Sequence, residues 1–133
     1  MIVTPFIEEE VGPVLSASLQ ADLGLRNPAE LDRATLLHTE TRPRAWADWC
    51  SITGSAEVAP TAEQTFEHFY FMLQAAASGL GVAIGPKPVV EDDIAAGRLV
   101  APFGFVKSGL SYVAMRPQTD DSRAALFASW LVD

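Results

Sequence analysis

The chain has 133 residues, 49% of them apolar, with a formal net charge of −8 and an isoelectric point near 4.6. That length is enough to bury one ordinary core, and an acidic balance with nine scattered lysines and arginines argues against direct DNA contact, which rests on basic side chains neutralising phosphate. The sequence lacks both the apolar run of roughly 18 residues that a membrane helix needs and a charged-then-apolar leader, so neither a membrane span nor a signal peptide is expected.

From the amino terminus, Ile2 to Phe6 is expected as an extended remnant. The acidic Glu8-Glu9-Glu10 follows, then a turn at Gly12-Pro13 and re-entry into a sheet over Pro13 to Ser16. Asn27-Pro28-Ala29-Glu30 reads as a capped helical turn, with Asn27 at the cap, Pro28 at the first helical position and Glu30 able to reach back to the cap amide. Thr35 to Thr39 is apolar and β-branched enough for a strand. Thr41-Arg42-Pro43 then opens a helix on which Trp46 and Trp49 share a face at a three-residue step. Cys50, the single cysteine, can form no intramolecular disulfide; beside Trp49 and Ile52 it reads as a packed thiol, with a redox sensor as the alternative, and a reducing cytoplasm is its natural compartment. Gly54 to Pro60 is expected as a loop.

The stretch from Phe66 to Phe103 carries the fold class. Phe66, Phe69, Tyr70, Leu73 and Ala77 recur at steps of three and four, which predicts a helix ending near Gly79. Leu80 to Ile84 reads as a strand buried on both faces, Val89 to Ala96 as a second helix closed by Gly97, and Arg98 to Phe103 as a further strand. Helices alternating with strands predict an α/β sheet with a small-molecule cleft at the carboxyl ends of its strands. Asp120, Asp121 and Ser122 then open a last helix with Leu126, Phe127, Trp130 and Leu131 as its apolar stripe.

Catalytic chemistry is hard to find. His38 and His68 lie in separate elements with no cysteine or carboxylate at metal-ligand spacing, so no metal is expected. None of the serines sits in a G-x-S-x-G elbow, and neither histidine has a recognisable acid partner. Glu91-Asp92-Asp93 reads as a dipole complement near a helix start, and Gly79-Leu80-Gly81 as a tight helix-to-strand turn rather than a phosphate loop.

The phrases AASGLGVAIGP and AAGRLVAPF resemble the effector-binding domain of LysR-type transcriptional regulators. The resemblance extends to EEEVGPVLSASL at 8–19, DRATLLHTETRPRAWADW at 32–49 and SYVAMRPQTDDSRAALFASWL at 111–131, and is greatest for the branch that holds the glycine-cleavage and β-lactamase activators. It implies a periplasmic-binding-protein-like α/β lobe in a partial domain: a crossover remnant over 1–12, a second effector lobe over 13–105, and a returning strand and terminal helix of the first lobe over 106–133. It also implies a bacterial regulator that senses a small metabolite in an interlobe cleft, without catalysis or cofactor. Such a protein is cytoplasmic and a homodimer or higher oligomer, and touches DNA only through an amino-terminal winged helix-turn-helix that this sequence lacks.

Carried over residue by residue, the resemblance places Thr39, Glu40 and Thr41 in the loop after a strand, Phe66, His68 and Phe69 at a helix start, and Tyr112 on the returning strand, all as effector contacts, with Ser16 at the crossover. Each has a plainer alternative: Thr39 satisfying a strand-end backbone group, Phe66 and Phe69 in the core, Tyr112 packed with its hydroxyl at the rim. Two other classes stay open. One is a stand-alone solute-binding module of the periplasmic type; the other is a small-molecule enzyme with His68 as general base.

Overall fold

The computed structural model describes residues 6–113, and their side chains over 9–108. The helix expected from Asp120 to Leu131 lies outside the described residues, as does all but Phe6 of the extended remnant expected over Ile2 to Phe6. Strand β1 spans Phe6–Val14, helix α1 Ala17–Leu23, a 3-10 turn Pro28–Arg33, β2 Thr35–Thr39, α2 Ala45–Thr53, β3 Ala62–Phe66, α3 Phe69–Ala77, β4 Val82–Pro86, α4 Lys87–Ala95 and β5 Val106–Val113. The five strands form one sheet in the order β3-β2-β4-β1-β5. β2 runs parallel to β3 and β4, while β1 runs antiparallel to both β4 and β5.

Period-two alternation divides the core into two layers. Leu37 and Ala83 face a cluster with Phe69, Met72, Leu73 and Val90 of α3 and α4, and their neighbours Leu36, Val82 and Ile84 face a cluster with Trp46, Trp49 and Cys50 of α2. The two tryptophans do share a buried face, ring centroids 6.0 Å apart and edge to face, and Trp46 Nε1 donates to the Leu37 carbonyl at 3.1 Å. Cys50 is the packed thiol expected, and burial pushes its pKa up. The Asn27 turn is a 3-10 helix in which Glu30 Oε1 accepts from the amides of Arg26 (2.8 Å) and Asn27 (2.9 Å). Those two amides hold its carboxyl below the usual glutamate range.

Several boundaries differ from expectation for identifiable reasons. The turn expected at Gly12-Pro13 is the interior of β1, where these residues pair with Gly85 and Ile84. Pairing to β5 has already ended at Val11, so Pro13 sits where β1 has one partner only, a place a missing amide is tolerated. Ser16 and Gly24 (φ 61°) bound α1, a helix with no fully buried residue. The helix after β2 starts at Ala45 and not at Thr41, because the Thr39 hydroxyl takes the Arg42 amide at 3.1 Å and bends the chain first. Phe66 ends a strand, β3, instead of opening α3. β4 runs two residues later than the Leu80–Ile84 run, with Leu80 55% exposed, since the chain needs Gly79 at φ 88° to leave the helix. Arg98–Phe103 is no strand: one bridge, Leu15 to Val100, is all that forms before the turn to Gly104.

Gly12 allows the closest backbone approach in the sheet region, since a Cβ there would overlap the carbonyl oxygen of Gly104. That oxygen is backbone and not the end of a flexible side chain. Gly12→Ala will therefore lower stability by about 3 kcal/mol, to be read as a fall in the urea midpoint with an unchanged slope.

Candidate functional site

The carboxyl ends of β2 and β3 lie side by side, with Thr39 paired to Phe66 and the Glu40 amide donating to the Phe66 carbonyl at 3.0 Å. Thr39 is 2% exposed. Its hydroxyl accepts from the Arg42 amide and from Thr41 Oγ1, both at 3.1 Å, so Thr39 shapes the loop that follows it. Glu40 and Thr41 are exposed on that loop. A hollow of about 500 Å³ opens here, lined by His38, Thr39, Glu40, Pro43, Glu63 and Thr65. The histidine without an acid partner in sequence has one in space: His38 Nε2 lies 3.0 Å from Glu63 Oε1 of the neighbouring strand. Among the described residues, no group of three or more metal-ligating side chains occurs.

Across the β3 end, Phe66 is part-buried and lines a second recess of about 880 Å³ with Tyr70, Phe71 and Gln74. Arg98, paired to Asp93 at 2.7 Å, stands at its rim. His68 occupies the N-cap of α3, exposed, its ring 5.6 Å from that of Phe71. Phe69, the next residue, is wholly buried in the core. Ser16 is at the other end of the sheet: β1 leaves beside Ala83 near the start of β4, and the Ser16 hydroxyl caps α1 by accepting from the Leu19 amide at 3.1 Å.

Tyr112 pairs with Ile7, on a strand that β4 and β1 separate from β2. Val11 already stands opposite Pro86, the last residue of β4, so the β1–β5 pair continues past the ends of the parallel strands. From Val11 to Ile7 that arm extends about 13 Å at roughly 3.3 Å per residue. The strand ends thus form a floor and the arm a wall beside it.

A bidentate side-chain contact crosses from floor to wall. Arg42, on the loop that Thr39 shapes, reaches Glu9 of β1 with two parallel bonds, Nη1 to Oε1 at 2.9 Å and Nη2 to Oε2 at 3.0 Å. Glu9 is completely buried and the Arg42 side chain nearly so, at 15% exposure. Glu9 stands in an acidic triplet and its partner is 33 residues away, so no local signal marks the pair.

The sequence profile of the LysR substrate binding domain matches residues 1–133. The chain belongs to this family. Among curated proteins, this LysR substrate binding domain is 45% identical to the HTH-type transcriptional regulator TrpI of Pseudomonas aeruginosa over 126 residues, 92% of this chain and 43% of that protein. It is 32% identical to the glycine cleavage system transcriptional activator of Escherichia coli K12 over 86% of this chain and 38% of the relative. The domain therefore spans about two-fifths of the length of the curated relatives it matches. Among solved structures it resembles the AmpR effector binding domain from Citrobacter freundii, with a TM-score of 0.66 and 27% identity over 97% of this chain and 68% of that one. A form of that domain with three substitutions, threonine to valine, serine to alanine and tyrosine to phenylalanine, is equally similar at a TM-score of 0.66 and 27% identity, over 96% of this chain and 68% of that one. The α/β architecture expected from sequence is that of LysR effector-binding domains.

Proposed function

We propose that this chain is the ligand-sensing part of a LysR-type bacterial transcriptional regulator, holding a small metabolite between the floor at the ends of β2 and β3 and the β1–β5 arm. The observation that carries the reading is the convergence of Thr39, Glu40 and Phe66 at adjoining strand ends beside that arm, in a chain whose relatives are regulators. Thr39, Thr41, Glu40 and His68 offer polar groups, Phe66 an aromatic edge, and Tyr112 a group from the wall. Phe69 supports the site from within as core, while Ser16 caps α1 at the opposite end of the sheet. In the same reading the 13–105 segment is one lobe, the arm is the crossover, and catalysis and cofactors play no part. The intact regulator is a cytoplasmic homo-oligomer that contacts DNA through a winged helix-turn-helix outside this chain. No helix among the described residues is long and apolar enough to cross a membrane.

Binding follows as a population shift, the effector favouring the arrangement that it binds better. The test is the intact regulator on its own promoter, with an effector first identified by thermal shift across a metabolite panel. Thr39→Val and Tyr112→Phe each remove a hydroxyl and keep most of the shape. Each is expected to raise the half-saturating effector concentration by roughly one to two decades, the cost of an unmade buried hydrogen bond, while Tyr112→Phe leaves DNA affinity without effector as it was. An unchanged effector response in both variants would place the ligand elsewhere.

A further inference from the structure

Phe6 of β1 pairs with Val113 of β5, so the chain runs into this sheet and out of it along the paired β1–β5 arm. The loop after β2 has no strand contact with that arm, because β4 lies between them in the sheet. The Arg42 side chain joins the two. The Arg42 amide is held by the Thr39 hydroxyl, and its guanidinium is held by Glu9.

We propose that the buried Arg42–Glu9 pair is a positioning link which transmits the state of the Thr39–Arg42 loop to the β1–β5 arm. Three observations converge on it. The pair is bidentate, so it fixes orientation as well as distance. Glu9 is wholly buried, so separating the charges would strand a carboxylate without water, and the loop and strand are driven to move together. Finally, Glu9 sits where the arm is irregular: Glu8 pairs with Ser111 but Glu10 with Lys107, so a bulge lies across from it. A bulged ladder leaves backbone groups unpaired and resets strand direction locally, which makes it the part of the arm most able to take up a small displacement. A ligand that engages the Thr39 or Thr41 hydroxyl changes the acceptor that the Arg42 amide uses, and the guanidinium carries the change to the bulge. Arg42 need not touch the ligand.

The inference rests on the effector loop proposed above, and its test uses no effector, so the two can fail separately. Amide exchange followed by mass spectrometry on the intact regulator compares the wild type with Thr39→Val, and a Glu9→Leu/Arg42→Met background with the same background carrying Thr39→Val. The double replacement substitutes an apolar pair of similar size and avoids a stranded charge. Thr39→Val is expected to speed exchange about fivefold, the scale of one lost hydrogen bond, in peptides covering Glu8–Val11 and Val106–Ser111. In the uncoupled background the same substitution should leave those peptides unchanged. An equal increment in both backgrounds, or no increment at the arm in the first, would overturn the link. If the double replacement fails to fold, Glu9→Gln, which keeps size and one hydrogen bond, serves as the background, and the increment should shrink by at least half.

Discussion

Replacing Arg42 alone by methionine will cost about 3–5 kcal/mol of unfolding free energy, the penalty of leaving a buried carboxylate without its partner. Glu9 has no exposure at all and both its oxygens are engaged by the guanidinium, so its charge loses both hydrogen bonds at once. The charge itself contributes little net stability. Glu9→Leu combined with Arg42→Met should therefore recover most of the loss, because an apolar pair avoids desolvating two ions. Urea unfolding of the three proteins would read both effects. A single Arg42→Met within about 1 kcal/mol of wild type, in the range of an exposed pair, would mean that solvent reaches Glu9.

Two adjacent residues at the start of α3 give the second large effect and its control. Phe69→Ala should lower stability by about 3–5 kcal/mol, since it empties a wholly buried ring site between Met72, Leu73 and the sheet. His68→Ala should fall within about 0.5 kcal/mol, as its exposed ring rests only on Phe71. Their functional effects should be reversed. In the proposed site His68→Ala shifts the effector response and Phe69→Ala acts through folding alone, so a rescue of Phe69→Ala by lower temperature distinguishes them. A Phe69→Ala protein of normal stability would remove that residue from the core.

What was legible in the sequence was whatever repeats locally. The Trp46–Trp49 step, the Phe69 to Ala77 spacing and the apolar β2 and β4 runs each announce themselves within one element, because side-chain burial follows the period of the backbone. β3 was not legible: four of its five residues are exposed, and it is held by its backbone ladder to β2, which leaves no alternation to read. The polar helix α1 failed for the same reason, with only its caps to mark it. Arg98 to Phe103 misled in the other direction. Leu99 is fully buried and apolar as a strand residue would be, yet it fills the core from a loop. In the site, hydroxyls at a strand end could be picked out, but the Arg42–Glu9 pair could not, since it depends on sheet order and not on spacing.

The sheet order also sets a timetable for synthesis. Of the five described strands β1 is made first, and it sits between β4 and β5, which are made last. Its partners emerge roughly 70 to 107 residues later, counted from Val14 to Ala83 and from Phe6 to Val113. At about 5–20 residues per second that is a delay of ~3–20 s. For that interval Phe6–Val14 is an unpaired strand with both edges open, the kind of segment that recruits neighbouring nascent chains. Glu8, Glu9 and Glu10 place three like charges in its middle, which deters such pairing in the way gatekeeper residues do. When the sheet closes, Glu9 gives up that role and becomes the buried partner of Arg42, so one carboxylate guards the growing chain and then locks the finished one.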